Sequence, residues 1–243
     1  MRNYEAETKQ RIDFIRSLIE STGANGIVYG NSGGKDSALA GILCKMACEN
    51  TVALIMPCGS KRNYETDKSD AEKIGQKYDI PTRFVDLSEA RNEMIRVIGE
   101  NTPLNDSAMA NIAPRLRMAA LYAVAASESR LVAGTGNRSE GYMGYFTKWG
   151  DGAFDFNPIA DLTVSEIFEF LRFLDVPDFI VDKAPSAGLF DGQTDESEMG
   201  VAYRSIDEFL LIGRVNERDG AIVGRFHKSS EHKRKMAVMY GSQ

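Results

Sequence analysis

The chain has 243 residues, of which 43% are hydrophobic and 26% charged, and its formal net charge at pH 7 is -6. These values suit a single globular domain spanning residues 1–243. The acidic balance argues against a nucleic-acid partner, because affinity for a phosphate backbone comes largely from clustered Lys and Arg. No apolar run approaches the roughly 20 residues of a membrane span, and the polar N-terminus is unlike a signal peptide. We therefore expect a cytoplasmic protein with no membrane partner.

The hydrophobic pattern predicts helices and strands in alternation. The first elements are an amphipathic helix over 5–19, a strand over 26–29, a glycine loop, and a helix over 37–48 capped near Asp36 or Ser37. Further strands are predicted at 52–56, 82–87 and 130–133, and further helices at 65–78, 88–98, 114–127, 165–174, 203–211 and 229–240. Pro114 is placed in the first turn of its helix. This alternation predicts an α/β fold with a mainly parallel sheet and helices on both faces.

Two long segments, 134–162 and 183–200, show no regular periodicity. Irregular stretches of this length in a compact domain are usually functional loops or disordered. The first contains several aromatic residues, which argues against disorder. We interpret the second as a mobile lid.

The loop SGGKDS, from Ser32 to Ser37, joins the first predicted strand to the next helix. Its glycines let the backbone approach an anion, and the helix N-terminus offers unpaired N–H groups and a positive dipole end. The pattern is neither GxxxxGK[ST] nor GxGxxG. A carboxylate at Asp36 would repel bound phosphates unless Mg²⁺ bridged the two, so this residue indicates a metal ligand. The alternative is a plain glycine turn in which Asp36 caps the helix.

The longer stretch GNSGGKDS, from Gly30 to Ser37, resembles the PP-loop of the N-type ATP pyrophosphatases. These enzymes hold the pyrophosphate of ATP while a nucleophile attacks the α-phosphate. Later segments are similar, in the same order, to the motifs of ammonia-dependent NAD synthetases, and together they cover most of the chain. They are NIAPRLRM at 111–118, GTGNRSE at 134–140, GYFTKWGDGAFDFNPI at 144–159, PSAGLFDGQTDESEMG at 185–200 and EHKR at 231–234.

The resemblance implies a Rossmann-like fold of the adenine nucleotide alpha hydrolase type and a ligase that forms a C–N bond. Such an enzyme uses ATP and Mg²⁺ to adenylate the nicotinate carboxylate of deamido-NAD, and ammonia then displaces AMP to give NAD. The family is homodimeric, with deamido-NAD bound across the subunit interface. Little sequence precedes the first predicted strand, so we expect no glutaminase domain and expect free ammonia or a separate subunit to supply the nitrogen.

The resemblance also assigns residues to these roles. Contacts to ATP are expected from Gly30, Asn31, Ser32, Gly33, Gly34, Lys35, Asp36, Ser37, Thr135 and Ser186. Contacts to deamido-NAD are expected from Arg115, Lys148, Asp155, His232 and Lys233. Asp36 and Glu140 map to the metal, and with Lys148 they are the expected catalytic residues. A Mg²⁺ ion held by the two carboxylates would neutralise phosphate charge, and Lys148 would offset the charge of the dinucleotide.

Purely structural roles stay open as alternatives for several of these residues. Arg115 and Arg117 are also compatible with surface charges on a helix, and Glu140 with a cap on the turn after Ser139. Lys148 and Asp155 are compatible with an ordinary surface ion pair.

One departure from the family pattern falls at Val164, where many members carry a lysine that meets the ATP phosphates. Lys35, in the variable position of the loop, and Lys61 or Arg62 are candidates to replace that charge. Two other functions therefore stay open: another PP-loop enzyme, such as one that adenylates a tRNA base, and a nucleotide-binding protein without catalysis. Net acidity and the lack of a CxxC pair weigh against the first.

Overall fold

The structure, a computed structural model, describes residues 2–59, 66–181 and 195–241. Ser186, Lys61 and Arg62 lie outside the described residues, as does most of the lid predicted at 183–200. Its described end forms a short helix, Asp195–Met199. Within the described ranges, no helix is both long and apolar enough to cross a membrane.

In the described residues, four parallel strands form one sheet, in the order β3-β2-β1-β4. Their bounds are β1 Gly26–Gly30, β2 Thr51–Ile55, β3 Thr82–Phe84 and β4 Arg130–Ala133. The order reverses direction at β1, where the chain first moves to β2 and β3 and later returns to β4 on the other side. Such a switch point leaves a crevice at the carboxyl ends of the strands, where ligands of open α/β sheets bind.

The described helices are numbered in chain order. They are α1 Tyr4–Thr22, α2 Lys35–Ala47, α3 Thr66–Lys77, α4 Ser88–Gly99, α5 Asp106–Glu128, α6 Arg138–Met143, α7 Val164–Phe173, α8 Asp178–Val181, α9 Asp195–Met199, α10 Tyr203–Ile212, α11 Glu217–Ser229 and α12 Glu231–Arg234.

Helices cover both faces of the sheet, as the alternation predicts. Ile27 and Tyr29 of β1 belong to one apolar core with residues of α1, α2 and α7. Val28, on the opposite face of the same strand, belongs to a second core with residues of β2, β4 and α5. This division follows from the two-residue side-chain period of a strand. The predicted α/β fold is confirmed.

A third apolar cluster joins α6, α7, α10 and α11 beside the carboxyl edge of the sheet. Its buried members include Met143, Val164, Tyr203, Ile206 and Val223. The cluster fixes the short helix α6 and the start of α7 next to the glycine loop.

Three predictions about helix ends are wrong. Helix α5 begins at Asp106, because the Asn105 side chain caps it by accepting from the N–H of Ala108, and Pro114 therefore lies inside the helix. In place of the helix predicted over 229–240, a helix that the sequence did not predict, α11, spans Glu217–Ser229, and the short α12 spans Glu231–Arg234. Gly34, in extended conformation, is the N-cap of α2, without a side-chain cap from Asp36 or Ser37.

The segment predicted to be irregular at 134–162 contains helix α6. Asn137 caps this helix in a reciprocal capping box with Glu140. The helix spans six residues, which is too short for hydrophobic periodicity to reveal.

Candidate active site

A cavity of about 1420 Å³ opens at the carboxyl ends of β1, β2 and β4. The glycine loop, the start of α6 and the segment at 144–154 line it, together with the C-terminal segment at 229–236. The cavity therefore lies at the switch point of the sheet, and its walls come from segments far apart in the chain.

The glycine loop is held in one conformation by contacts with α3. Gly33 has a φ of +69°, and an added Cβ there would lie 2.3 Å from the carbonyl oxygen of Asp67, so only glycine fits. Asn31 is buried, and its side chain accepts from the N–H of Gly33 at 3.1 Å and donates to the carbonyl of Ala71 at 3.2 Å. The Oγ atoms of Ser32 and Ser37 are 3.1 Å apart. Together with the N-terminus of α2, this loop suits binding of a polyphosphate.

Asp36 and Glu140 lie on two sides of Asn137, which contacts both. The Asn137 side chain donates to Asp36 Oδ1 at 3.1 Å, and the Asn137 backbone N–H donates to Glu140 Oε2 at 3.0 Å. Burial raises the pKa of Glu140, and the negative charge of Asp36 raises it further. The two expected metal ligands therefore lie close together, and the capping alternative for Glu140 is also realised, in the box with Asn137.

This pair of carboxylates fits Mg²⁺, which prefers oxygen ligands and is commonly held by one or two carboxylates plus substrate phosphates. Within the described ranges, no group of three or more His, Cys, Asp and Glu side chains is placed to hold a metal by itself. Asp36 and Glu140 would therefore form part of a site that phosphate oxygens complete.

Lys35 points away from solvent and into the acidic end of the cavity. Its side chain is 4% exposed, and its Nζ lies 2.7 Å from Asp36 Oδ2 and 5.9 Å from the centre of the Phe168 ring. Burial lowers the pKa of Lys35, but the charges of Asp36, Glu140 and Asp195 outweigh burial and leave the pKa raised. Phe168 lies one turn after the buried Val164 on α7, so a cation lies beside this helix although position 164 is apolar.

At the other end of the cavity, cationic side chains connect the C-terminal segment to the loop after α6. Lys148 Nζ donates to the carbonyls of His232 at 2.5 Å and Lys235 at 3.2 Å. Lys233 Nζ donates to the carbonyls of Gly144 and Phe146, both at 2.8 Å. Lys148 and Lys233 line the cavity, whereas His232 is exposed and contributes its backbone.

Arg115 and Asp155 lie outside the cavity lining. Arg115 is exposed on α5. Asp155 accepts from the N–H of Val132 at 2.7 Å and from the Tyr122 hydroxyl at 3.1 Å, so it holds the end of β4. The alternative that Lys148 and Asp155 form a surface ion pair is therefore wrong. The expected deamido-NAD contacts of Arg115 and Asp155 stay predictions, as does the ATP contact of Thr135, which does line the cavity.

Several residues of the site were not predicted from the sequence. The capping role of Asn137 could have been predicted, because an Asn followed three residues later by Glu is a capping-box pattern. Arg117 lines the cavity and donates to the carbonyl of Met56 at 2.9 Å, so the surface alternative for it is wrong. Asp195 is buried, and it accepts a 2.9 Å hydrogen bond from the Tyr203 hydroxyl. No local pattern connects these two residues to the glycine loop.

The sheet is parallel, and a PP-loop lies at its switch point, with Asp36 of the loop close to Glu140. This combination defines a nucleotide-binding protein of the PP-loop class. Comparison with known proteins narrows this class. A family model described as NAD synthase matches residues 7–242, and the chain belongs to that family.

Similar proteins support the same grouping over nearly full length. The chain is 42% identical over 237 residues to an NH3-dependent NAD+ synthetase of Carboxydothermus hydrogenoformans, covering 96% of each chain. Among solved structures, it is similar to an NMN synthetase from Francisella tularensis, with a TM-score of 0.93 and 38% identity over 98% of this chain and 99% of the other. An NH3-dependent NAD synthetase from Campylobacter jejuni gives a TM-score of 0.81 and 29% identity, over 98% and 99% of the two chains.

Proposed function

We propose that this chain catalyses the ATP-dependent amidation of deamido-NAD by ammonia, with release of NAD, AMP and pyrophosphate. The observation that carries the proposal is the charge distribution of one cavity, which is acidic at one end and basic at the other. Its PP-loop end holds Asp36 and Glu140 next to Asn137, and its other end holds Lys148 and Lys233. A cation-bound triphosphate suits the first end, and an anionic nucleotide suits the second.

The chemistry requires two anions to meet, since an oxygen of the nicotinate carboxylate attacks the α-phosphorus of ATP. The new P–O bond forms as the bond to pyrophosphate breaks, and the loop N–H groups and the N-terminus of α2 stabilise the charge on this leaving group. Mg²⁺, held by Asp36 and Glu140, would neutralise phosphate charge. Ammonia then attacks the acyl carbon, the C–O bond to AMP breaks, and loss of a proton leaves the amide. The residues mainly position and stabilise charge.

A direct test incubates the purified protein with ATP, Mg²⁺, ammonium and deamido-NAD and separates the nucleotides by chromatography. We expect AMP and NAD in equal amounts, and neither in an Asp36→Asn variant. A Lys9→Gln variant is the matched control, because Lys9 is exposed on α1 and pairs with Asp13. AMP without NAD would point to another PP-loop enzyme, and ATP binding without turnover would support the non-catalytic alternative.

A second candidate substrate is nicotinate mononucleotide, which carries the same reacting carboxylate without the adenylyl half. It is favoured by the similarity to the Francisella tularensis NMN synthetase, whose TM-score of 0.93 exceeds the 0.81 of the Campylobacter jejuni NAD synthetase. The discriminating measurement is kcat/KM for each substrate at saturating ATP and ammonium. A value at least tenfold higher for the mononucleotide would make NMN formation the main activity.

We further propose that the protein acts as a homodimer. Helix α4 has no buried residue, although it carries Met94 and Val97, which are 43% and 45% exposed. Arg115, on the neighbouring α5, is exposed, so a deamido-NAD molecule in contact with it would reach the surface of one chain. A second chain packed on this surface would bury both features. Light scattering should give twice the 26.8 kDa of one chain, and an active monomer would contradict the proposal.

A further inference from the structure

A buried ammonium group lies among three acidic side chains at the PP-loop end of the cavity. Lys35 Nζ contacts Asp36 directly at 2.7 Å, and the charges of Glu140 and Asp195 are close enough to act on it. The rings of Phe168 and Tyr203 flank the ammonium, with centroids 5.9 and 5.8 Å from Nζ. Lys35 is therefore enclosed by aromatic and acidic groups, with its side chain only 4% exposed.

The hydrogen bonds of Asp36 divide its carboxylate between two fixed donors. Lys35 donates to Oδ2, and Asn137 donates to Oδ1. An oxygen of an ionised carboxylate accepts about two hydrogen bonds or metal contacts, so each oxygen keeps capacity for a cation in the cavity. The Lys35 ammonium can thus remain in place when a cation binds Asp36.

The balance of charges in this cluster also indicates a role for the Lys35 ammonium. The carboxyl groups of Asp36, Glu140 and Asp195 outnumber the single ammonium of Lys35, so the cluster keeps a negative balance even where burial holds Glu140 neutral. Buried charges are costly unless they are compensated, so the cluster without Lys35 would have an excess negative charge. Removal of this positive charge would strengthen the attraction of the site for a free divalent cation, because like charges close together in a partly buried site repel strongly.

We propose that Lys35 is a positioning residue that serves as a permanent monovalent counterion in this acidic cluster. It holds Asp36 in orientation and keeps the free protein's affinity for divalent cations low, so that the cation is retained only together with the polyphosphate of ATP. The inference rests on the proposed role of Asp36 and Glu140 as metal ligands, and it adds a function for the variable position of the loop.

The test measures binding of Mn²⁺ alone, by electron paramagnetic resonance, to the protein without ATP or deamido-NAD. Lys35→Gln retains a side-chain amide that can donate to Asp36 but removes the charge, and Lys35→Met removes both. We expect Lys35→Gln to bind Mn²⁺ at least about tenfold more tightly than the unsubstituted protein. Lys9→Gln, which removes one exposed positive charge on α1, should leave the affinity unchanged.

The outcomes separate this inference from the proposed function. If Lys35→Gln binds Mn²⁺ no more tightly than the unsubstituted protein, including no detectable binding by either, the counterion role is overturned. Weaker binding by both Lys35 variants would reduce Lys35 to a purely orienting donor and also overturn it. If Asp36→Asn leaves the tightened binding of Lys35→Gln intact in the double variant, the assignment of Asp36 as a metal ligand fails instead. Thermal unfolding of each variant checks that it is folded.

Discussion

Replacement of Asn137 by alanine should weaken both the fold and the cation site, because one side chain serves both. The side-chain oxygen of Asn137, Oδ1, accepts from the N–H of Glu140 at 2.9 Å and so caps α6. The side-chain nitrogen, Nδ2, donates to Asp36 Oδ1 at 3.1 Å. Asn137 is 2% exposed, so water does not readily replace these bonds.

The expected cost follows from the two lost interactions. Loss of an N-cap destabilises a protein by about 1 kcal/mol, and loss of a hydrogen bond to a charged group costs about 1.5–3 kcal/mol. The Asn137→Ala variant should therefore lose about 2.5–4 kcal/mol of unfolding free energy. For a chain of this size, about 1 kcal/mol corresponds to a Tm shift of about 2–4 °C, so we expect Tm to fall by roughly 5–15 °C.

Calorimetry and urea unfolding measure this loss, and Asn137→Ser supplies the matched control. Serine keeps an N-cap oxygen but lacks the amide that reaches Asp36. Its stability should fall between those of the other two proteins, while Mn²⁺ affinity in the presence of ATP should drop in both variants. If Asn137→Ala lay within about 0.5 kcal/mol of the unsubstituted protein, the capping and bridging roles would both be refuted.

Three further predictions concern other parts of the cavity. Gly33→Ala should reduce ATP affinity by more than about tenfold in calorimetric titration, because a Cβ would lie 2.3 Å from the Asp67 carbonyl; Gly224→Ala, with nothing within 4 Å of the added Cβ, should bind ATP normally. Lys148→Ala should expose the C-terminal segment to trypsin and raise KM for deamido-NAD, since two hydrogen bonds to that segment are lost; unchanged digestion would contradict this. Removal of divalent cations with EDTA should abolish NAD formation, and added Mg²⁺ should restore it, whereas turnover that persists in EDTA would exclude the proposed role of the metal.

The sequence was most informative where function depends on local backbone geometry. The order of strand, glycine loop and helix predicted the anion-binding loop, and the structure places Gly33 at a positive φ there. The resemblance pairs Glu140 with Asp36, and in the structure both contact Asn137, but their shared role as metal ligands stays a prediction. Contacts between segments that are far apart in the chain could not be predicted from the sequence. The burial of Lys35 depends on rings from α7 and α10, so its sequence position alone indicates an ordinary exposed lysine.

Pro114 illustrates a local signal that a stronger one overrides. A proline favours the first turn of a helix, because it lacks the N–H that would be unpaired there. In this chain the Asn105 cap and the segment 106–113 begin the helix two turns earlier, and Pro114 is buried within it. The start of this helix is thus decided by the Asn105 cap and not by the proline.

Helix α6 connects the two ends of the cavity. Its first turn carries Glu140 and is capped by Asn137, so its N-terminus belongs to the cation site. The carbonyls at its C-terminal end accept from the C-terminal segment: Met143 accepts from Ser230 at 3.2 Å, and Gly144 accepts from Lys233 at 2.8 Å. A helix of six residues is about 9 Å long and has little stability of its own. Its position therefore depends on the apolar cluster and on the contacts at both ends, so loss of the C-terminal contacts should displace Glu140 as well as Lys233.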